Sequence, residues 1–167
     1  KMANLVPIVN APNLYGNGCQ ITHASTTTLG VGVGQWRDST NTFDIVLDAP
    51  LTVDNTFNGV NGLDTGTVAD STFYYVFLIM DPTNTNKTAA LMSLSATAPV
   101  MPSLNGVTYG AFRLIGCALT DGSAHFLNFF ASGDTKRLFQ WDAPIVALNA
   151  GAATSVASGF DIKSLLS

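Results

Sequence analysis

The run Phe73-Tyr74-Tyr75-Val76-Phe77-Leu78-Ile79-Met80-Asp81 constrains this chain more than any other feature. Aromatic and β-branched residues fill it, which favours a strand. Successive strand side chains point to opposite faces. A run that is apolar on both faces must therefore be covered on both sides, so this strand is expected at the centre of the fold.

The rest of the chain has to supply the covering layers, and composition indicates their kind. All 11 acidic residues are Asp, and Lys plus Arg total only 7. Glu, Lys, Gln and Arg normally coat helices, so exposed helical faces would be hard to build. Thr, Val, Phe and Tyr suit strands, and Asn, Asp, Gly and Pro suit turns. At 167 residues and 47% hydrophobic, the chain can form one domain with a real core and is not a disordered tail.

Further strands are read at Thr42–Asp48, Leu51–Asp54, Ala89–Ser95, within Val107–Leu119, at His125–Phe130, at Arg137–Trp141, and in Ala143–Asn149 and Ala152–Ile162. Pro82–Thr88 is read as a hairpin tip, and Thr120-Asp121-Gly122-Ser123 as a type I′ turn. The expectation is an all-β fold: an antiparallel β-sandwich or jelly-roll-like barrel of about eight to ten short strands. Residues 1–34 lack a self-contained strand pattern and are expected to form an N-terminal arm or docking segment, with residues 35–167 as the sandwich domain.

Two local features imply close packing. Gly30, Gly32 and Gly34 alternate, leaving one strand face bare, as if another backbone lay against it in a subunit contact. In the loop Gly59–Asp70, Leu63 is the lone large apolar residue between turns and is expected to plug into the core. Asp64 beside Thr65 suits a local side-chain-to-backbone bond. A Ca²⁺ site from Asn61, Asp64 and Asp70 is the weaker reading, because the spacing is not that of an EF-hand.

Chemistry is hard to place elsewhere. A net charge of −4, with Lys136-Arg137 the only adjacent basic pair, argues against nucleic acid. No apolar stretch reaches the ~18 residues of a membrane span. The start, Lys1-Met2-Ala3-Asn4-Leu5-Val6-Pro7, has no long apolar core of a secretion signal, so synthesis in a cytoplasm is expected. Cys19 and Cys117 are read as free thiols in preference to one disulfide, and they lack zinc-site spacing. His23 and His125 lie about a hundred residues apart with no nucleophile motif. The Asp residues fall mostly in turns, which explains them without catalysis. No enzyme activity, cofactor or metal is expected. If the chain binds a glycan, Tyr15, Trp36, Tyr109 and Trp141 are the aromatics that could stack on sugar rings.

Three segments carry a resemblance. They are Gly59-Val60-Asn61-Gly62-Leu63-Asp64-Thr65-Gly66-Thr67, Phe73 to Ile79, and Leu91-Met92-Ser93-Leu94-Ser95-Ala96-Thr97-Ala98-Pro99-Val100-Met101-Pro102. In this order they resemble a module of tailed-bacteriophage structural proteins that has a GLDTGT loop, a WYYVYLI-like strand and an SLSATAP-like segment. Arg113-Leu114-Ile115-Gly116 and Thr120-Asp121-Gly122-Ser123 resemble that module's ending, and Trp36-Arg37-Asp38-Ser39 and Phe139-Gln140-Trp141-Asp142 extend the likeness less specifically. Phe73 stands where Trp is frequent, and Arg113 where two basic residues are usual.

The resemblance implies a virion protein: a tail fibre, head fibre or capsid-decoration component. It would be a homotrimer docked on other virion proteins, with host attachment through a surface glycan as the alternative role. It brings no catalytic residues.

Overall fold

The computed structural model describes residues 11–104, 106–133 and 138–142. Among them there is no helix, and every strand ladder is antiparallel. The fold is all-β, as the shortage of helix-coating residues requires.

The first half is a bent three-stranded meander. β1 (Gly16–Gly18) and β2 (Ile21–His23) run one way, β3 (Thr28–Val31) and β4 (Gly34–Arg37) return, and β5 (Asp44–Leu47) and β6 (Leu51–Asp54) run forward again. Each pair is one long strand broken at a bend. One half forms the sheet β1-β4-β5, and the other forms β2-β3-β6. Cys19 sits at the bend with φ 54°, and its N–H donates to Val33 O (2.8 Å) while Gly32 N–H donates to Gln20 O (2.9 Å). These breaks explain much of why the described residues alone form thirteen strands where about eight to ten were expected.

The second half is built on β7 (Phe73–Asp81), flanked by β8 (Asn84–Ser93) and β11 (Ala111–Leu119) in the order β11-β7-β8. β7 is central, and both of its faces are covered. Tyr74, Val76, Leu78 and Met80 enter the main core with Ile21, Leu29, Val31, Ile45 and Val53 of the meander. Phe77 and Ile79 face a second cluster with Leu91 and Tyr109, closed by Val60, Met101 and Val107. That cover includes the short hairpin of β9 (Ser103–Leu104) and β10 (Val107–Thr108). The hairpin tip between β7 and β8 is only Pro82–Thr83, because β8 starts at Asn84, earlier than the expected return strand. β12 (Phe129–Ser132) pairs with β13 (Leu138–Trp141) and delivers Phe129 and Ala131 to the main core.

The two halves are stitched by the loop at 59–64. Asp54 N–H donates to Asn61 O (2.9 Å), and Asn61 N–H donates to Ala90 O (2.9 Å). Met92 N–H donates to Gly62 O (2.9 Å), and Asp64 N–H donates to Met92 O (2.7 Å). The loop therefore acts as a short extra strand between β6 and β8. Leu63, fully buried, points from it into the main core. On the far side, Leu127 N–H donates to Leu119 O and Phe126 N–H donates to Thr26 O, linking the end of β11 to the β2–β3 turn.

Two expectations change. The division at residue 34 falls at the first residue of β4, and Cys19, Ile21, Leu29 and Val31 are core residues. From residue 11 onward, the expected arm is part of the domain; residues 1–10 lie outside the described residues, as do the strands read in 143–149 and 152–162. At Gly34 the close backbone anticipated beside the alternating glycines is the chain's own. A Cβ on Gly34 would lie 2.4 Å from Cys19 N and 2.5 Å from Asn17 O. One on Gly30 would meet the Thr22 hydroxyl at 2.6 Å, while at Gly32 the nearest atoms are an ordinary 3.7 Å away.

Gly34→Ala should therefore destabilise by about 1–3 kcal/mol, since rigid backbone must move to admit a methyl group. Gly122→Ala, where a Cβ meets nothing within 4 Å, should stay within about 0.5 kcal/mol of wild type. Thermal melts of the two variants test the close approach, and equal melting temperatures would contradict it.

Candidate functional site

The polar residues singled out by the motifs act first as loop clamps. Asp38, 1% exposed, is the clearest example. Its Oδ1 accepts from Thr42 N–H (2.7 Å) and Phe43 N–H (2.8 Å), and its Oδ2 accepts from Thr40 N–H (3.1 Å) and the Thr40 hydroxyl (2.5 Å). Ser39 N–H then donates to Phe112 O (2.8 Å), fastening this turn to β11. Burial alone would raise the Asp38 pKa, but the Thr40 hydroxyl and the N–H groups of Phe43, Thr40 and Thr42 outweigh it, and the carboxyl titrates below its usual 3.8.

Asp121 follows the same logic. Its Oδ1 accepts from Ser123 N–H (2.8 Å) and His125 N–H (2.9 Å), so this loop is longer than a two-residue type I′ turn. Those bonds, with the nearby His125 ring, hold its pKa below the usual value. At the β7–β8 tip, the Thr83 hydroxyl and N–H do the same for Asp81.

The weighed Ca²⁺ ligands are engaged elsewhere. Asn61 Oδ1 accepts from Ala90 N–H (3.0 Å), Asp64 Oδ1 accepts from Thr65 N–H (2.8 Å), and Asp64 Oδ2 accepts from Val100 N–H (2.9 Å). Among the described residues, no three His, Cys, Asp or Glu side chains gather as a metal site would need. Asp64 does form the local bond its sequence suggests, and it also reaches the segment around Val100, a contact that local sequence cannot reveal.

The thiols and imidazoles do not assemble into a reactive group. Cys19 and Cys117 are free thiols, and burial raises the Cys117 pKa. A raised pKa keeps a thiol protonated and inert. His23 donates through Nε2 to Phe126 O (3.2 Å), and His125 Nδ1 lies 3.9 Å from Asp121 Oδ2 on the surface.

The four aromatics considered for sugar stacking occupy different environments. Trp36 is half-buried, donates from its indole N–H to Gly18 O (3.2 Å), and covers Gly16 so closely that a Cβ there would fall within 2.2 Å of the ring. Tyr109 is buried in the second cluster; burial, then the Asp81 charge, raises its pKa. Trp141 meets Phe129 and Phe73 edge-to-face at 5.6 and 6.4 Å. Tyr15 is half-buried ahead of β1. Tyr109 and Trp141 are committed to packing.

Clefts open on the described surface, and two of them bear on binding. One, of about 340 Å³, lies over Gly30 and Gly32, with Gln20, Thr22, Pro50 and Thr52 around it. The other, of about 270 Å³, is walled by the 55–58 turn and by Gly66, Thr67 and Val68, with Leu63 beneath. Asn55 in this second cleft is 2% exposed, and neither its Oδ1 nor its Nδ2 has a hydrogen-bonding partner among the described residues. Sequence reading passed over Asn55 and Phe57. The available signal was a lone aromatic set between turn-forming Asn residues. Comparison with protein-family models, curated proteins and solved structures finds no match for this chain in any of the three.

The Asp38 clamp has a measurable consequence. Its pKa is depressed by folding, so its stabilisation is complete above the unfolded value of 3.8 and is lost as pH falls through the lower folded value. Asp38→Ala should cost about 2–4 kcal/mol at pH 7, because four bonds to a charged acceptor disappear. The gap between variant and wild type should narrow below pH 3.8. Urea unfolding across pH checks this, and a gap independent of pH would contradict it.

Proposed function

We propose that this chain is a non-catalytic structural component of a bacteriophage virion, of fibre, tail or capsid-decoration type. It self-associates, as a trimer in the favoured form, and docks on other virion proteins. The observation that carries the reading is that the phage-like motifs meet as one folded unit. Asp64 of the GLDTGT loop holds Val100 of the SLSATAP-like segment. Asn61 and Gly62 bond β8, which leads into that segment. The Thr120 hydroxyl of the TDGS segment donates to Ala69 O (2.7 Å) and accepts from Thr72 N–H (2.9 Å), just before β7. A resemblance spread over residues 59–130 thus falls on mutually supporting contacts.

The facing sheets around a shared core support a β-sandwich as the finer description. The surface supports association. Leu14, Phe57, Leu94, Val100 and Phe130 are large apolar side chains left exposed, and a low-charge surface of Thr, Ser and Asn is inexpensive to desolvate. Host-glycan recognition through Tyr15, Trp36, Tyr109 and Trp141 gains nothing from the packing of Tyr109 and Trp141.

Light scattering on the purified chain should give about three times the 17.5 kDa chain mass, and the protein should co-sediment with particles. A monodisperse monomer that never accompanies particles would sink the proposal.

A further inference from the structure

We propose that the cleft between the 55–58 turn and Gly66–Val68 binds a neutral, hydroxyl-rich ring of the pyranose type, with Asn55 as the polar anchor and Phe57 as the stacking face. Three observations converge on this site.

First, Asn55 is fixed and buried, yet its amide is unengaged. Its backbone N–H donates to Thr27 O (3.0 Å), holding the residue in place, while both side-chain polar atoms lack a partner among the described residues. Buried polar groups are nearly always paired, so an unpaired amide calls for a reason. An amide offers one acceptor and two donors together, the set that adjacent hydroxyls on a ring can satisfy.

Second, Phe57 is 46% exposed but not loose. A Cβ on Gly62 would lie 2.5 Å from Phe57 O and 2.8 Å from its ring, so the ring rests directly on the glycine backbone. Leu63 N–H donates to Phe57 O (2.9 Å), and Gly59 N–H donates to Leu63 O (2.7 Å), tying the turn at both ends. One side of the ring is thereby seated and the rest is presented to solvent. Such a preset apolar surface loses little freedom on binding.

Third, the lining selects the ligand class. Asn58 and Thr67 add an amide and a hydroxyl, Leu63 and Val68 are apolar, and no described lining residue is charged. A cleft of about 270 Å³ lies just under the ~300 Å³ where sites for drug-sized ligands begin, which fits a single ring. The absence of charge in the described lining disfavours phosphates and carboxylates and favours a neutral partner. The inference does not depend on the virion reading, and it places sugar recognition away from the aromatics that the sequence brought forward.

The test is NMR titration of the full ¹⁵N-labelled chain with the methyl glycosides of glucose, galactose and N-acetylglucosamine, each into the millimolar range. At least one should give saturable shifts at the Asn55 and Asn58 side-chain amides and at Thr67. Phe57→Ala should weaken that binding about tenfold. Asn55→Leu, which replaces unpaired polar atoms by apolar ones of similar size, should abolish binding and melt at or above the wild-type temperature. The proposal is overturned by no saturable shift with any of the three glycosides, by unchanged affinity in Phe57→Ala, or by wild-type binding in Asn55→Leu. A lower melting temperature for Asn55→Leu also overturns it, since the amide would then be a structural group satisfied by buried water. Failure on any of these counts leaves the solution-mass test of the virion reading intact.

Discussion

The free edge of β8 is the constraint on which the rest of the structure depends. β8 pairs with β7 on one side only, and its other edge would expose backbone groups that need partners. The 59–64 loop supplies them. Asn61 receives Asp54 N–H through its carbonyl and Ala90 N–H through its side chain, and it gives its own N–H to Ala90 O. One residue with φ 62° thereby joins both halves of the molecule. Asn tolerates that left-handed conformation better than most residues. Once the seam is closed, Leu63 has no route except inward, and the meander is pressed against β7 across a single core.

The same requirement gives five of the 11 Asp residues a role that suits a short carboxylate. Asp38, Asp54, Asp64, Asp81 and Asp121 each accept from a backbone N–H at most five residues away. A carboxylate on a single methylene reaches such donors with little rotamer entropy to lose. Asp38 alone satisfies the backbone of Thr40, Thr42 and Phe43. A chain built from short strands and many turns has many such donors to satisfy. The carboxylates therefore read as loop chemistry, and the depressed pKa values of Asp38, Asp81 and Asp121 have the same origin.

Legibility in the sequence followed the range of the interactions. β7 could be read because burial on both faces leaves an eight-residue apolar signature, Phe73 to Met80. β5, β6 and β13 lie within the strands expected at Thr42–Asp48, Leu51–Asp54 and Arg137–Trp141, and the Asp64–Thr65 bond is local. β1 was missed, and the joining of the segments within residues 11–34 into one meander was not foreseen, because β1 and β2 are three residues each, too short for alternation to show. Their strand character comes from pairing with β4 and β3. At Gly34 the close backbone that the alternation implied is present, but sequence could not say whose; the contact with Cys19 crosses a bend that only tertiary structure defines. Asn55 was invisible for a related reason, since a turn Asn is ordinarily expected to bond its own loop.

That expectation is what makes Asn55 informative. Turn residues around it follow the rule or find a partner farther off: Asp54 accepts from Thr56 N–H (2.9 Å) and Ser25 from Thr27 and Thr28 N–H groups, while Asn61 accepts from Ala90 N–H in β8. Among the described residues, Arg37 Nε and the Thr88 hydroxyl are also buried without partners. Arg37, however, still donates through Nη1 to Asp44 and through Nη2 to the Asn41 carbonyl, and Thr88 leaves a single hydroxyl unmet. Among the described residues Asn55 leaves both ends of an amide unmet, at a cost of about 1–3 kcal/mol per group. A Leu of similar size at this position would avoid that cost within the fold. Packing among the described residues therefore gives no reason for an amide here, whereas the proposed partner in the cleft would.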